Sequence, residues 1–288
     1  MTPLPRGFDN MTPAQHEALR LQAQAELERR KRAGTFSGLT ANHAYAKRPL
    51  AWITEYLGVP ANTLIWSLTP GYDKHQWDGD VDPLVKMMNA IGNGYDCGVE
   101  AATGTQKTFS AACLAYWFLA CFEDSLIVTS APKSDQLLLM MWREIGTLWK
   151  RFQRHYPTAE LLSGKIRMRN TDGDKETWAA TAFVAGVGAD EDAAQKAQGF
   201  HRKHMFIITE ETPGMDTAIM NAFQHTRSDD HNIHLALGNP DHRNDQLHRF
   251  CFDETGTPRP GVVHVRISAL DHPNVVTGES IVPGAIGR

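Results

Sequence analysis

The chain has 288 residues, of which 42% are hydrophobic, and a formal net charge of -4 at pH 7. This length and hydrophobic fraction are typical of a globular protein with one large domain or two small ones. The negative net charge excludes a protein that binds nucleic acid through an overall basic field, so any such contact is local or supplied by a partner. The longest apolar run, 109–122, is shorter than the about 20 residues that a membrane helix needs, so membrane insertion is not expected.

The N-terminal part of the chain predicts a polar helix followed by a lead-in to the main domain. Residues 12–33 have helical composition, with Thr12 as the N-cap and Pro13 in the first helical position. The sequence "GTFSG" then ends the helix. Residues 49–91 are rich in aromatic residues, proline and glycine, and we expect them to pack on the domain that follows.

From Cys97 onward the sequence alternates between apolar strand-like runs and helical stretches. The predicted strands lie within 97–102, 125–132, 178–186, 204–211, 232–240 and 261–270, and the clearest helices within 107–121 and 134–155. This alternation indicates an α/β fold with a central, mostly parallel sheet flanked by helices. In open sheets of this kind ligands bind at the carboxyl ends of the strands, where the polar motifs of this chain fall.

The first of these motifs is the turn "AATGTQKT", residues 101–108, between a predicted strand and a predicted helix. Backbone N-H groups of such a turn converge on phosphate oxygens, Lys107 adds positive charge, and Thr108 can hold Mg²⁺. The usual motif has glycine at both 101 and 106, whereas this chain has Ala101 and Gln106. A left-handed conformation costs a residue such as glutamine about 1–2 kcal/mol, so either Gln106 is strained or the loop differs in detail. The alternative is a purely structural connection.

The second motif is the acidic sequence "TEETPG", which follows the apolar run 205–208. Hydrolysis of a nucleoside triphosphate needs one carboxylate near the metal and one that orients or deprotonates the attacking water. Glu210 and Glu211 are the candidates. Adjacent strand residues face opposite ways, and the sequence leaves open whether the functional pair is Thr209–Glu210 or Glu210–Glu211. The alternative is a capping or solvated acidic turn.

Three weaker signals accompany these motifs. The sequence "TSAPKSDQ" follows a strand, and Ser134 is a predicted cap of the next helix. Asn239, in "LALGNP", is placed to sense a γ-phosphate or the catalytic water, although an Asn-Pro turn is also frequent for local reasons. Gln76 and Trp77 precede the phosphate turn at a distance suitable for an adenine contact.

The order of these motifs resembles that in the large terminase subunit of tailed bacteriophages. The resemblance covers residues 50–284 and includes the sequences "DGDVDPL", "TSAPKSDQLLLMMWREI", "AQGFHRKHMFIITEETPG", "LALGNP" and "DHPNVVTGE". It implies a P-loop ATPase of the RecA-like/ASCE type with an N-terminal helical extension. It also implies ATP and Mg²⁺ as cofactors, with the turn at 101–108 as a variant Walker A motif.

The resemblance assigns roles to individual residues. The nucleotide would be bound by Gln76, Thr103, Gly104, Thr105, Gln106, Lys107, Thr108 and Asn239, and the metal by Thr108 and Glu210. The catalytic residues would be Glu210, Glu211 and an arginine that reaches the neighbouring subunit in a ring. Arg202 is the first candidate for this arginine, with Arg227 and Arg243 behind it.

The resemblance also predicts the biological setting. It implies a virus-encoded motor in the host cell cytoplasm, which the absence of CxxC cysteine pairs also suits. Its expected partners are double-stranded DNA, a portal protein, a small terminase subunit and further copies of itself in a ring, with a monomer as the alternative in solution. The expected division is a helical arm over 1–48, an ATPase domain over 49–270 and a linker over 271–288, with no nuclease activity. The alternative functions are a degenerate P-loop docking module and a helicase-like ATPase.

Overall fold

The computed structural model describes residues 43–72, 81–168, 178–184, 191–227, 229 and 231–287, with the backbone alone for 191–194. Most of the predicted N-terminal arm, including the helix at 12–33, and the predicted adenine contact at Gln76 lie outside these ranges. The predicted division into arm, ATPase domain and linker stays a prediction.

The described helices cover both faces of a central sheet. In chain order they are α1 Pro49–Glu55, α2 Ala61–Leu64, α3 Pro83–Gly92, α4 Lys107–Cys121, α5 Ser134–Gln136, α6 Trp142–Gln153, α7 Glu191–Gln198, α8 Thr217–His225, α9 Gln246–Cys251 and α10 Pro273–Thr277. None of the helices in these ranges is both long and apolar enough to span a membrane.

The sheet contains eight strands within the described residues. They are β1 Asp96–Ala101, β2 Leu126–Ala131, β3 Glu160–Leu162, β4 Lys165–Arg167, β5 Ala179–Val184, β6 His204–Thr209, β7 His231–Gly238 and β8 Val262–Ile267. Their spatial order is β3-β4-β5-β2-β6-β7-β1-β8. The pairs β3–β4 and β4–β5 are antiparallel, and all other pairs are parallel.

This topology confirms the predicted fold class, an α/β fold with a central, mostly parallel sheet flanked by helices. All six predicted strands are present, and β7 lies between the strand that precedes the phosphate turn and the strand that ends in the acidic motif. The hairpin β3–β4 at one edge was not predicted. Because parallel neighbours end at the same edge, the carboxyl ends of β1, β6 and β7 are brought together there.

Helix α4 is the centre of the molecule. All its residues except Thr108 and Phe109 are buried, as expected for a helix that is apolar on every side. Two buried indoles tie it to other parts of the chain: Trp117 donates to the carbonyl of Tyr45 at 2.9 Å, and Trp178 donates to the carbonyl of Leu119 at 3.0 Å. Trp52 and Ile53 of α1 are buried in the same hydrophobic cluster as α4, which confirms that the lead-in packs on the domain.

The helix predicted over 134–155 is interrupted by a π-helical turn, Leu137–Met141, between α5 and α6. The adjacent Trp142 donates its indole N-H to the Thr129 hydroxyl at 3.0 Å, which anchors the start of α6 on the sheet. Ser134 is the first helical residue, Lys133 takes the N-cap position, and no side chain caps this end. The predicted capping role of Ser134 was therefore wrong.

The pair His204 and His231 predicts a pH-dependent stability. Their Nδ1 atoms are 2.9 Å apart, so one ring must donate and the other must accept. Burial, and then the charge of His204, lowers the pKa of His231 from 6.5 to about 4. Since the folded value lies below the unfolded one, the free energy of unfolding should fall as the pH drops from 6.5 to about 4. The loss should be on the order of 1 kcal/mol, because the ring is partly exposed and solvent screens its charge.

Urea unfolding of the chain and of His231→Phe at several pH values tests this expectation. The Phe118 and Phe122 rings that pack against His231 should accept phenylalanine, and the variant should lose less stability over this pH range. His201→Gln, at an exposed position, is the control and should behave like the original chain. An identical pH slope for His231→Phe would contradict the assignment.

Candidate functional site

The candidate site lies at the edge of the sheet where β1, β7 and β6 end side by side. In the parallel register Glu100 of β1 is opposite Gly238 of β7, and Thr209 of β6 is opposite Ala236 of β7. The phosphate turn, the acidic motif and Asn239 therefore leave the sheet at one edge. Asn239 is exposed and follows the central strand of the three.

The phosphate turn is held at its base and open at its tip. The amide of Ala102 donates to the carbonyl of Ile267 at 3.0 Å, and the buried Thr105 hydroxyl donates to the Ala102 carbonyl at 2.8 Å. Thr103 and Gly104 at the tip are exposed. The turn therefore has a fixed backbone and an exposed tip, where the Gly104 carbonyl accepts from the Ile286 amide at 2.9 Å.

Gln106 adopts the left-handed conformation, with φ 66° and ψ 18°. Of the two alternatives for this position, the strained residue is the correct one, and the backbone takes the path that glycine normally provides. The carbonyl of Gln106 accepts from the amide of Ser110 at 2.9 Å, which starts the helix. Glutamine in place of glycine thus preserves the turn at a cost in local strain.

Helix α4 begins at Lys107, directly after this turn. The N-terminus of a 15-residue helix carries partial positive charge and N-H groups without intrahelical partners, which suits an anion. The Lys107 side chain is buried, with 4% exposure, and Thr108 is half-buried. A buried ammonium adds a full charge to the same place, so the start of α4 is suited to phosphate.

Glu210 is the most unusual group of the site. It is 2% exposed, and neither carboxylate oxygen makes a hydrogen bond of standard length and angle with a described residue, while the Thr108 hydroxyl lies close enough to affect its pKa. Burial raises its pKa from 4.5 to about 7, the Lys107 charge and the Thr108 hydroxyl oppose this rise, and Glu211 adds to it. These effects place the Glu210 carboxyl group beside the start of α4.

The side chains of Thr209 and Glu210 lie on different faces of the sheet. The Thr209 side chain points to the other face of the sheet, where its hydroxyl is 3.0 Å from Nε2 of His234. Glu210 lies on the face that α4 covers, and Glu211 follows it. This geometry favours the Glu210–Glu211 pair over Thr209–Glu210 as the pair at the site.

The oxygens of Thr108 and Glu210 fit a magnesium ion. Mg²⁺ prefers hard oxygen ligands and usually takes one or two from the protein, with the rest from water and substrate phosphates. The two unpartnered Glu210 oxygens are suitable ligands. The described residues contain no group of three histidine, cysteine, aspartate or glutamate side chains that could hold a metal by itself.

Glu211 has a strained backbone, with φ 49° and ψ 42°, and is partly exposed. It precedes a short 3-10 turn, Thr212–Gly214. The left-handed conformation turns the chain out of the strand immediately after Glu210, so the two adjacent carboxylates occupy different surroundings. One is buried near Lys107, and the other is accessible to solvent.

Two of the three candidate arginines lie at the edge where the strands begin, and the third lies at the edge where they end. Arg202 precedes the first residue of β6, and Arg227 forms a 2.6 Å ion pair with Asp96, the first residue of β1. Both lie at the edge where the parallel strands begin. The phosphate turn lies at the other end of these strands, about 20 Å away for a strand of this length. Arg243 is exposed and follows β7 at the carboxyl edge. Arg227 thus has a structural role in joining β1 to β7.

Sequence reasoning missed the side chains that support the acidic turn. Thr212 and His234 are fully buried next to Thr209, and Pro213 packs on Gly238, where an added Cβ would lie 2.3 Å from the proline Cδ. The contact joins residues about 25 positions apart, and neither motif carries a local signal for it.

The comparisons with known proteins found no matching family model and no curated relative. Solved structures do match. The large terminase ATPase domain of Thermus phage P74-26 is 15% identical over 61% of this chain and 76% of its own, with a TM-score of 0.45. The large terminase of another thermophilic bacteriophage, in complex with ADP, is 13% identical over 66% of this chain and 44% of its own, also with a TM-score of 0.45.

These solved structures belong to the same family that the sequence motifs resemble. The identities and TM-scores are low, so nothing about the activity of this chain follows from them. The chain spans less than half the length of the terminase that was solved with ADP.

The buried Glu210 carboxylate predicts a substitution that makes the protein more stable. A folded-state pKa above the unfolded value favours the folded state at low pH, and this contribution is lost as the pH rises from 4.5 to about 7. At pH 8 Glu210→Gln should therefore increase the free energy of unfolding by roughly 1–3 kcal/mol, without added nucleotide or metal.

Denaturant unfolding at pH 8 and pH 5 measures the difference between the two proteins. The gain should shrink at pH 5, where the original carboxyl group is largely protonated. Glu211→Gln, at the partly exposed neighbour, is the matched control and should change stability less. A destabilised Glu210→Gln at pH 8 would refute this account of the site.

Proposed function

We propose that this chain is the ATP-hydrolysing motor domain of a viral DNA-packaging complex, which moves double-stranded DNA into a procapsid. The observation that carries the proposal is the buried, unpartnered Glu210 carboxylate beside Lys107 and Thr108 at the start of α4. A carboxylate, a lysine and a hydroxyl at a phosphate turn are the groups that phosphoryl transfer needs. The motif order supports the assignment to the large terminase family.

Binding of ATP would use the backbone amides of the phosphate turn and the N-terminus of α4. Lys107 would hold negative phosphate oxygens close to the helix, where its charge is shielded from water. Thr108 and Glu210 would hold Mg²⁺, which when bound supplies positive charge that stabilises the transferring phosphoryl group. Gln76 is the proposed adenine contact.

Hydrolysis would proceed by in-line attack of water on the γ-phosphorus. The new P-O bond forms as the bond to the bridging oxygen of ADP breaks, and Glu211 orients the water and accepts its proton. Glu211 suits this role because it is accessible and directly follows the metal-binding residue. Asn239, which follows β7, would contact the γ-phosphate. The loss of this contact on hydrolysis would then couple the reaction to movement of the neighbouring strands.

The proposed assembly is a ring of identical subunits on a portal protein in the host cell cytoplasm, together with a small terminase subunit. Arg202 lies at the edge opposite its own phosphate turn, so any catalytic role it has must be exerted on a neighbouring subunit. Several weak DNA contacts around a ring also suit a chain with net charge -4, because contacts in one assembly act together.

A second candidate function is a P-loop module that docks in the packaging complex without rapid turnover. One specific contact favours it: the amide of Ile286 donates to the carbonyl of Gly104 at 2.9 Å, and an added Cβ on Gly104 would be 3.0 Å from the Ile286 Cβ. This segment covers part of the phosphate turn, and the strained Gln106 lies two residues away. In this alternative, nucleotide binding without hydrolysis is expected.

The main prediction is magnesium-dependent ATP hydrolysis that rises more than linearly with protein concentration. Lys107→Ala should lower kcat at least about 100-fold, because the phosphate loses its charged partner. Glu211→Gln should lower kcat about 10²–10⁴-fold and leave nucleotide binding in place, since only the base is removed. Lys86→Ala, an exposed lysine of α3, is the control. No hydrolysis at any concentration by the original chain would reject the motor in favour of the docking module.

Mixing experiments test the arginine. If Arg202 acts on a neighbour, Arg202→Ala should lose most activity. Mixtures of Arg202→Ala with Lys107→Ala should then recover part of it, because some interfaces combine an intact arginine with an intact phosphate turn. Arg243→Ala is measured in the same assay, because Arg243 is an alternative candidate for this role. Full activity of Arg202→Ala alone would exclude Arg202.

A further inference from the structure

Three fully buried polar side chains lie between the ends of β6 and β7, on the face of the sheet opposite Glu210. They are Thr209, Thr212 and His234. The Thr209 hydroxyl is 2.9 Å from the Thr212 hydroxyl and 3.0 Å from Nε2 of His234, and the Thr212 hydroxyl donates to the Thr209 carbonyl at 2.9 Å. The phosphate turn does not contribute to this group.

The available protons determine the direction of these hydrogen bonds. The one proton of the Thr212 hydroxyl goes to the Thr209 carbonyl, so Thr212 accepts from the Thr209 hydroxyl. Thr209 has then used its own proton and must accept from His234 Nε2-H. The bonds form a single chain that starts at the imidazole and ends at the backbone carbonyl of Thr209.

This direction fixes the state of His234. Because Nε2 carries the donated proton, the buried Nδ1 atom, which has no hydrogen-bond partner among the described residues, is the unprotonated nitrogen of the neutral ring. Burial lowers the pKa of His234 well below its usual range, and the Arg227 charge lowers it further. The ring is therefore neutral and stacks edge-on against Phe223 and Phe250. It serves as a fixed hydrogen-bond donor.

The chain of bonds ends on the peptide group between Thr209 and Glu210. The carbonyl side of this peptide accepts from Thr212, and its amide side, Glu210 N-H, donates to the Ser130 carbonyl at 2.8 Å. Both sides of this peptide, which lies one residue ahead of the Glu210–Glu211 peptide, are thus fixed. The following turn closes with a 3.0 Å bond from the amide of Gly214 to the carbonyl of Glu211.

Glu211 needs this support because its own conformation is unfavourable. A left-handed glutamate costs about 1–2 kcal/mol and persists only where the surrounding structure holds it. Without the Thr212 hydroxyl, the Thr209–Glu210 peptide loses the side-chain hydrogen bond that ties it to the turn after Glu211. A displacement of about 1 Å at a catalytic group can lower a rate about 100-fold.

We propose that Thr212 and His234 are positioning residues that hold the left-handed turn and thereby place the Glu211 carboxylate at the phosphate edge. This inference rests on the proposed ATPase function, in which Glu211 acts on the attacking water. Neither residue contacts the nucleotide in this proposal. Both act through the backbone that precedes Glu211.

Steady-state ATP hydrolysis by the full chain is the kinetic test. Thr212→Val keeps the shape and removes the hydroxyl, and should lower kcat about 10- to 100-fold with KM for ATP changed less than threefold. Thr212→Ser keeps the hydroxyl and should recover most of kcat. His234→Phe should lower kcat less than Thr212→Val does. The double variant Thr212→Val with His234→Phe should have a kcat less than twofold below that of Thr212→Val alone, since both residues act through one chain of hydrogen bonds.

Amide hydrogen exchange of the 209–215 segment gives a second readout that does not depend on activity. Exchange at Glu210 and Gly214 should be faster in Thr212→Val than in the original chain, and unchanged in Thr212→Ser. Because the exchange measurement needs no ATP turnover, it tests whether the Thr212 hydroxyl stabilises the turn even if the original chain does not hydrolyse ATP. In that case the proposed function fails while the structural part of the inference is still decided.

Three results would overturn the inference. The first is a hydrolysing original chain whose kcat is unaffected by Thr212→Val. The second is an equal loss in Thr212→Val and Thr212→Ser, which would point to side-chain packing rather than the hydroxyl. The third is unchanged exchange at Glu210 and Gly214 in a folded Thr212→Val variant.

Discussion

Burying the Glu210 carboxylate costs free energy, and the rest of the site is arranged around that cost. An ionised carboxylate without hydrogen bonds is unstable in a protein interior unless positive charge lies nearby. Lys107 and the N-terminus of α4 provide this charge, and they reach Glu210 only because β1 and β6 run parallel and end at the same edge. The strand order is therefore what makes a buried glutamate tolerable, and a bound cation would remove the remaining penalty.

Strain is concentrated at the same place. Among the described residues three non-glycine residues have positive φ, and two of them, Gln106 and Glu211, flank the site. Gln106 shapes the phosphate turn, and Glu211 turns the chain away from the buried carboxylate. Backbone strain of this kind survives only where neighbouring contacts hold it. Favourable packing in the centre of the molecule, above all around α4, offsets the cost of these two unfavourable conformations.

Much of this was predictable from the sequence because the signals are local. Buried parallel strands appear as apolar runs, and the phosphate turn and acidic motif are short sequences with their own chemistry. The register of Glu210 and Glu211 was not predictable, because it depends on which face of β6 the helix α4 covers. The contact of Thr209 with His234 also left no signal, because it joins distant residues. The hairpin β3–β4 was missed because three-residue strands have too few residues to show alternation.

The turn after Glu211 connects the acidic motif to both neighbouring strand ends. Pro213 packs on Gly238 at the end of β7, and Gly214 packs on Pro132 just beyond β2. Any side chain at 238 would collide with Pro213, so glycine is required there for a steric reason. A shift of the turn must therefore displace the segments that carry Asn239 on one side and the "TSAP" sequence on the other. Because protein interiors are closely packed, these contacts tie the position of the turn after Glu211 to both strand ends.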